Sequence, residues 1–251
     1  MSNRLVTIGF SHYCEKARWA LEWAGVPFTE EPHCPLMQRR AARKAGGKGT
    51  VPALITAGEA FGESADIVRY ADQQAPEDRR LYTGEPEFDE EIDRWMATLD
   101  EPFGVDTRRI VYAHMGGKAH RKTLVGLATR GVPAFERAVF PWTAGVGMRY
   151  VRRYYDITEA TVELSYQRVD EIFDRVEERL ELGDFLVGDH FTAADLTFAA
   201  LGAPAVLPEQ YGVPLPPPSE IPEAYMAWVE RSRARPAGQF ILDVYREFRK
   251  G

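Results

Sequence analysis

Two spacings of apolar residues divide the chain. In the first part, short β-branched runs alternate with amphipathic stretches. Leu5, Val6, Thr7 and Ile8 form a run suited to a buried strand, and residues 9–13 read as a turn. Ala17, Trp19, Ala20, Leu21, Trp23 and Ala24 recur at helical spacing over residues 15–24, where Gly25 stops the helix. Residues 27–31 suit a second strand, and the interval fits a right-handed crossover to a parallel neighbour. Residues 36–44 read as a basic helix broken by Gly46, Gly47 and Gly49. Residues 51–55 and 60–61 read as two strands joined at Gly58-Glu59, and 64–74 as a helix with Ile67, Val68 and Ala71 on one side. The order βαβαββα predicts a small α/β domain over residues 1–78.

The rhythm then changes to helices alone. Residues 79–89, rich in Pro, Glu and Asp, read as a linker, and residues 90–251 as an all-helical domain. Ile92, Trp95, Met96 and Leu99 lie at helical spacing. Residues 158–182 predict a long helix that turns Val169, Ile172, Phe173, Val176 and Leu180 inward. A shorter apolar helix follows at 192–201, a Pro-rich loop at 205–222, and two terminal helices at 222–233 and 236–249.

Composition narrows the classes. The 251 residues suit one large domain or two modest ones, and 45% hydrophobic with 27% charged content is ordinary for a globular chain. A net charge of −7 argues against a broad nucleic-acid-binding surface. Cys14 and Cys34 alone give no disulfide framework, and no apolar run reaches the length of a membrane span. Residues 1–4 lead into a strand without a signal-peptide pattern, so a cytoplasmic location is expected.

Three short motifs carry chemistry. Ser11-His12-Tyr13-Cys14 stands at the N-terminus of the first helix, where free N–H groups and the helix dipole favour an anion such as a thiolate. A hydroxyl there can donate a charge-assisted hydrogen bond to sulfur. The same residues also suit a helix cap and a small buried thiol. Thr50-Val51-Pro52 opens a strand, and a cis bond at Pro52 would leave the Val51 N–H and C=O free for an extended peptide-like ligand. Glu63-Ser64 opens the third helix, where hydroxyl and amides suit a carboxylate and Glu63 an ammonium group. Each motif also has an ordinary structural reading when taken alone.

Together, S-x-x-C at residue 11, T-V-P at 50 and E-S at 63 resemble the soluble glutathione S-transferase superfamily over the whole N-terminal domain. The resemblance recurs at Gly188-Asp189-His190-Phe191-Thr192-Ala193-Ala194-Asp195, a capping box whose role is folding, and at Arg235-Pro236. It implies a thioredoxin-like glutathione-binding domain, an all-α C-terminal domain and a two-fold homodimer. Ser11 falls at the family's catalytic position and Cys14 at the resolving-cysteine position. By the same resemblance, Val51, held by Pro52, pairs with the cysteinyl backbone of glutathione, Glu63 and Ser64 hold the γ-glutamyl end, and Tyr13 is a further contact. With the first two strands parallel, His33 and Lys48 come within reach of the glycyl carboxylate, although no family motif fixes them.

The implied reaction is conjugation of the glutathione thiolate to a small hydrophobic electrophile, with glutathione as co-substrate and no tightly bound cofactor. A Cys14-dependent thiol-disulfide oxidoreductase or lyase and a non-catalytic module on the same fold are the alternatives. The helical part is long for the family, with an expected insertion at 104–157 bearing an Arg/Tyr cluster at 149–155. His114 and His120 have no third ligand at a recognised spacing, so no metal site is expected, and no P-loop is present.

Overall fold

The computed structural model describes residues 3–44, 46–47 and 49–249. Its first part is β1 (Asn3–Thr7), α1 (His12–Trp23), β2 (Phe28–Pro32), α2 (Gln38–Lys44), β3 (Ala53–Ile55), β4 (Ala60–Phe61) and α3 (Ser64–Gln74). The sheet order is β2-β1-β3-β4. β1 runs parallel to β2 and antiparallel to β3, with Leu5 opposite Glu30 and Leu54. β3 and β4 form the antiparallel hairpin. This is the thioredoxin-like arrangement.

The apolar run in β1 follows from burial on both faces. Leu5 joins Ala17, Leu21, Ile67 and Val68 in the main core, while Val6 packs with Ala42 of α2 and with Ala53. A strand covered on both sides reads as continuous rather than alternating.

The second part is α4 (Pro86–Thr98), α5 (Gly104–Met115), α6 (Arg121–Ala128), α7 (Ala134–Tyr154), α8 (Glu159–Leu180), α9 (Ala193–Val206), α10 (Glu223–Arg233) and α11 (Pro236–Phe248). Residues 86–89 of the expected linker thus form the first turn of α4. The remaining linker is pinned: Asp72 accepts from the Leu81 amide at 2.6 Å, and Leu81 C=O accepts from Ala193 N–H at 2.9 Å. α9 is apolar on every side because α1, α4, α5, α10 and α11 all pack on it. Its N-terminus carries the expected capping box, with Asp195 Oδ2 accepting from the Thr192 amide at 2.8 Å and Oδ1 from Leu186 N–H at 2.8 Å.

Two boundaries differ from the hydrophobic pattern. α1 opens at His12 rather than residue 15, because its polar residues are buried as ion pairs and break the apolar rhythm. Glu15 holds Arg18 at 2.5 Å and Arg249 at 2.8 Å, and Lys16 holds Asp100 at 2.7 Å. α9 runs on past residue 201 to Val206, with Pro204 inside its last turn, and ends where Leu207 turns left-handed at φ 45°. Three helices, α5, α6 and α7, occupy residues 104–157.

Candidate active site

A cleft of about 900 Å³ opens between the two parts. One wall comes from the α1 turn, the Val51-Pro52 segment and the start of α3. The other comes from α5 and the C-terminal end of α7.

Three sets of unpaired backbone groups meet on the first wall. Ser11 caps α1 with φ −71° and ψ 128°, and its hydroxyl makes no capping bond to the first-turn amides but interacts with the Cys14 thiol. The first helical backbone bond runs from Glu15 N–H to Ser11 C=O, so the His12, Tyr13 and Cys14 amides have no backbone partner among the described residues. The Val51-Pro52 bond is cis, as the strand-opening proline suggested, and the strand begins only at Ala53. Val51 N–H and C=O pair with no described backbone group. In α3 the first backbone bond is Ile67 N–H to Glu63 C=O, which leaves the Ser64, Ala65 and Asp66 amides open. Ser64 is buried and Glu63 exposed at the mouth, and both line the cleft.

Ser11, Tyr13, Val51, Pro52, Glu63 and Ser64 therefore share one cavity. Tyr13 enters it with its hydroxyl committed, donating to Asp100 C=O at 2.5 Å. Two expected residues do not line it. Cys14 points into the core with no exposure, and burial pushes its thiol up to about 11 against the opposing pull of the Ile8 amide, Arg18 and Ser11. A thiol so placed is a small packed side chain and not a reactive nucleophile. His33 is turned away to Glu136 of α7 at 2.6 Å, and the other oxygen of Glu136 takes the Cys34 amide at 2.8 Å. His33 thus anchors α7 instead of facing the cleft. Lys48 lies outside the described residues.

The cleft also gathers residues that the motifs did not single out. Gln38 and Arg39, on the α2 segment, sit beside Val51 in the lining. Gln38 is nine-tenths buried, and its Oε1 has no hydrogen-bond partner among the described residues. Their only signal in the sequence was the basic character of the helix at 36–44. His12 is buried in the cleft lining with Nε2 2.8 Å from Gly104 C=O. Burial first, then the Arg108 charge, lower its pKa to about 3, so it is a neutral imidazole at any physiological pH. On the far wall stand Arg108, Tyr112, Tyr150, Tyr154 and Tyr155. No group of three or more His, Cys, Asp or Glu converges as a metal site would require among the described residues. No described helix is long and apolar enough to cross a membrane.

Comparison with known proteins agrees with this architecture. Residues 5–79 match the glutathione S-transferase N-terminal domain and residues 159–249 the C-terminal domain, together about two thirds of the chain. Among solved structures, a β-etherase from Sphingobium sp. strain SYK-6 aligns at 22% identity and a TM-score of 0.60, over 97% of this chain and 99% of that one. A theta class glutathione S-transferase from Xanthomonas axonopodis pv. citri, solved with glutathione bound, aligns at 21% identity and 0.58, over 95% of each chain. Glutathione transferase F2 from Populus trichocarpa aligns at 19% identity and 0.58, over 97% and 99%. No curated protein matches by sequence. With both of its domains matched in order and the fold shared along its length, the chain belongs to the soluble glutathione S-transferase superfamily.

Proposed function

We propose that this chain is a glutathione transferase that ionises the thiol of bound glutathione and adds it to a small electrophile. The reading rests on one observation, the convergence of the α1 amides, the Val51 backbone and the α3 amides on one wall of the cleft. Their chemistry matches the three parts of the tripeptide. Ser11 donates to the thiolate, which the open α1 amides also favour. Val51, set by the cis Pro52, pairs with the cysteinyl N–H and C=O. Ser64 and the α3 amides take the γ-glutamyl carboxylate, and Glu63 takes its ammonium. Gln38 and Arg39 replace His33 in our assignment of the glycyl end, since the Gln38 side-chain amide can donate N–H there and Arg39 supplies a cation. Tyr13 contributes ring surface. The protein acts as a homodimer in the cytoplasm, with a detoxifying role.

Calorimetric titration with glutathione tests the reading. Wild type is expected to bind, and Ser64→Ala to bind about tenfold more weakly, the loss of one hydrogen bond to a charged group. No binding by wild type refutes it. A Cys14-centred redox reaction is the second reading, and the burial of Cys14 stands against it. Activity that survives Ser11→Ala and vanishes in Cys14→Ser would reverse the order. Glutathione binding without turnover of any electrophile would leave a binding module.

A further inference from the structure

The wall facing the thiol site holds a cation with no ion-pair partner among the described residues. Arg108 projects from α5 into the cleft and is flanked by aromatic rings. Its guanidinium carbon lies 4.5 Å from the Tyr13 ring centroid and 5.1 Å from that of Tyr155. One of its N–H groups donates to the Tyr155 hydroxyl at 2.5 Å. That is its only hydrogen bond among the described residues. The neighbouring cations are matched: Lys16 by Asp100, Arg18 by Glu15 and Glu30, and Arg109 by Asp106. Asp100 is taken by Lys16, and Glu101 and Asp156 lie exposed on the rim without pairing to Arg108. His12, beside Arg108, is neutral and adds no negative charge.

Arg108 is part-buried on the cleft wall, and its planar fork matches a carboxylate through two parallel N–H···O bonds. The surrounding surface has a second character. Tyr112 stacks with Tyr155 at 6.0 Å between centroids, and Tyr150 with Tyr154 at 5.8 Å. Such ring faces suit a flat aromatic body lying against them.

We propose that the acceptor is an aromatic electrophile bearing a carboxylate, which Arg108 grips while the ring lies among the tyrosines of α5 and α7. This rests on the glutathione-transferase reading for the thiol, and it adds the class of the second substrate. The carboxylate fixes the ring across the cleft from Ser11, so the anionic end points at α5 and the reactive carbon faces the sulfur.

The test uses 4-chloro-3,5-dinitrobenzoate and its methyl ester, which share the reacting carbon. In both, the glutathione sulfur forms a C–S bond, chloride leaves with the electron pair of the C–Cl bond, and the thiol proton passes to solvent. Each kcat/KM is divided by the uncatalysed rate constant for that compound. Wild type is expected to favour the carboxylate by about tenfold or more, as one charge-assisted pair allows. Arg108→Met abolishes the preference, and Arg108→Lys keeps part of it because a point charge replaces the fork. A wild-type ratio at or below one overturns the proposal, whatever the variants do. So does a ratio that survives Arg108→Met, which would leave Arg108 as a brace between Tyr13 and Tyr155. Titration with 3,5-dinitrobenzoate, which has no leaving group, separates the two readings. Its binding to wild type but not to Arg108→Met, without any glutathione binding, keeps the anion site and refutes the transferase. Glutathione binding with neither binding nor turnover of the benzoates refutes the acceptor class alone.

Discussion

Lys16 and Asp100 form a bridge whose two halves should differ sharply in cost. Lys16 lies in α1 with a fully buried side chain, and its Nζ sits 2.7 and 2.9 Å from the two oxygens of Asp100, at the α4–α5 junction. The Asp100 side chain keeps 23% exposure. Asp100→Ala therefore strands an ammonium with neither water nor counter-ion, at about 3–5 kcal/mol. Lys16→Met instead leaves a carboxylate that water reaches and places an apolar chain in an apolar site, at about 1 kcal/mol or less. The double variant should return close to Lys16→Met, since the stranded charge is gone. Tyr13 is not disturbed by either change, because it donates to the main-chain carbonyl of Asp100. Urea unfolding followed by tryptophan fluorescence reads all three. A pH series adds a second check. Burial already lowers the Lys16 pKa below its ordinary 10.5, although Asp100 pulls it back up. Without Asp100 the folded state holds that proton less tightly still, while the unfolded chain keeps it up to 10.5. Stability of Asp100→Ala should therefore climb, more steeply than wild type, as pH rises from neutrality towards 10.5. Equal costs for the two single variants, or no recovery in the double, would refute the argument.

Ser11→Ala should raise the pKa of the bound glutathione thiol by about one to two units, one charge-assisted bond being worth ~1.5–3 kcal/mol, as read from thiolate absorbance against pH. Cys14→Ser should leave that titration where it is. Asp195→Ala removes the acceptor of the buried Leu186 and Thr192 amides and should cost about 2–4 kcal/mol in urea unfolding, without changing glutathione affinity in the folded protein. Glu136→Ala frees both His33 and the Cys34 amide, and amide hydrogen exchange should rise over the N-terminal turns of α7. Analytical ultracentrifugation is expected to give twice the 28.3 kDa chain mass, and the single chain mass would refute the proposed homodimer.

The wall proposed to bind the thiol was legible because backbone geometry makes it. A helix N-terminus, a cis proline at a strand start and a second helix N-terminus each leave a mark in consecutive residues. Their joint order then fixes the surrounding sheet. Cys14 misled for a related reason. Sequence places it at the first turn of α1, but which way that turn faces depends on where the helix begins. With Ser11 as the cap and His12 as the first residue, Cys14 turns inward and Tyr13 outward. The early start was masked by Glu15, Lys16 and Arg18, whose partners Arg249, Asp100 and Glu30 are distant in the chain, so the buried charges imitate a solvated turn.

The facing wall has no such local mark. Arg108 and Tyr112 are one turn apart on α5, and Tyr150 and Tyr154 one turn apart on α7, which on a sequence looks like any half-exposed helix face. What gives Arg108 its character is that no carboxylate pairs with it among the described residues, and that is a property of the packed molecule. α5 packs on α8 and α9, whereas α7 is tied to the N-terminal part by the His33–Glu136 pair, the Arg39–Tyr150 hydrogen bond at 2.8 Å and the small apolar cluster of Cys34 and Phe140. The two walls thus differ in how they are built. One is fixed by main-chain groups that any sequence keeping the fold would retain. The other is made of side chains, where substitutions would change the proposed acceptor and leave the proposed thiol site intact.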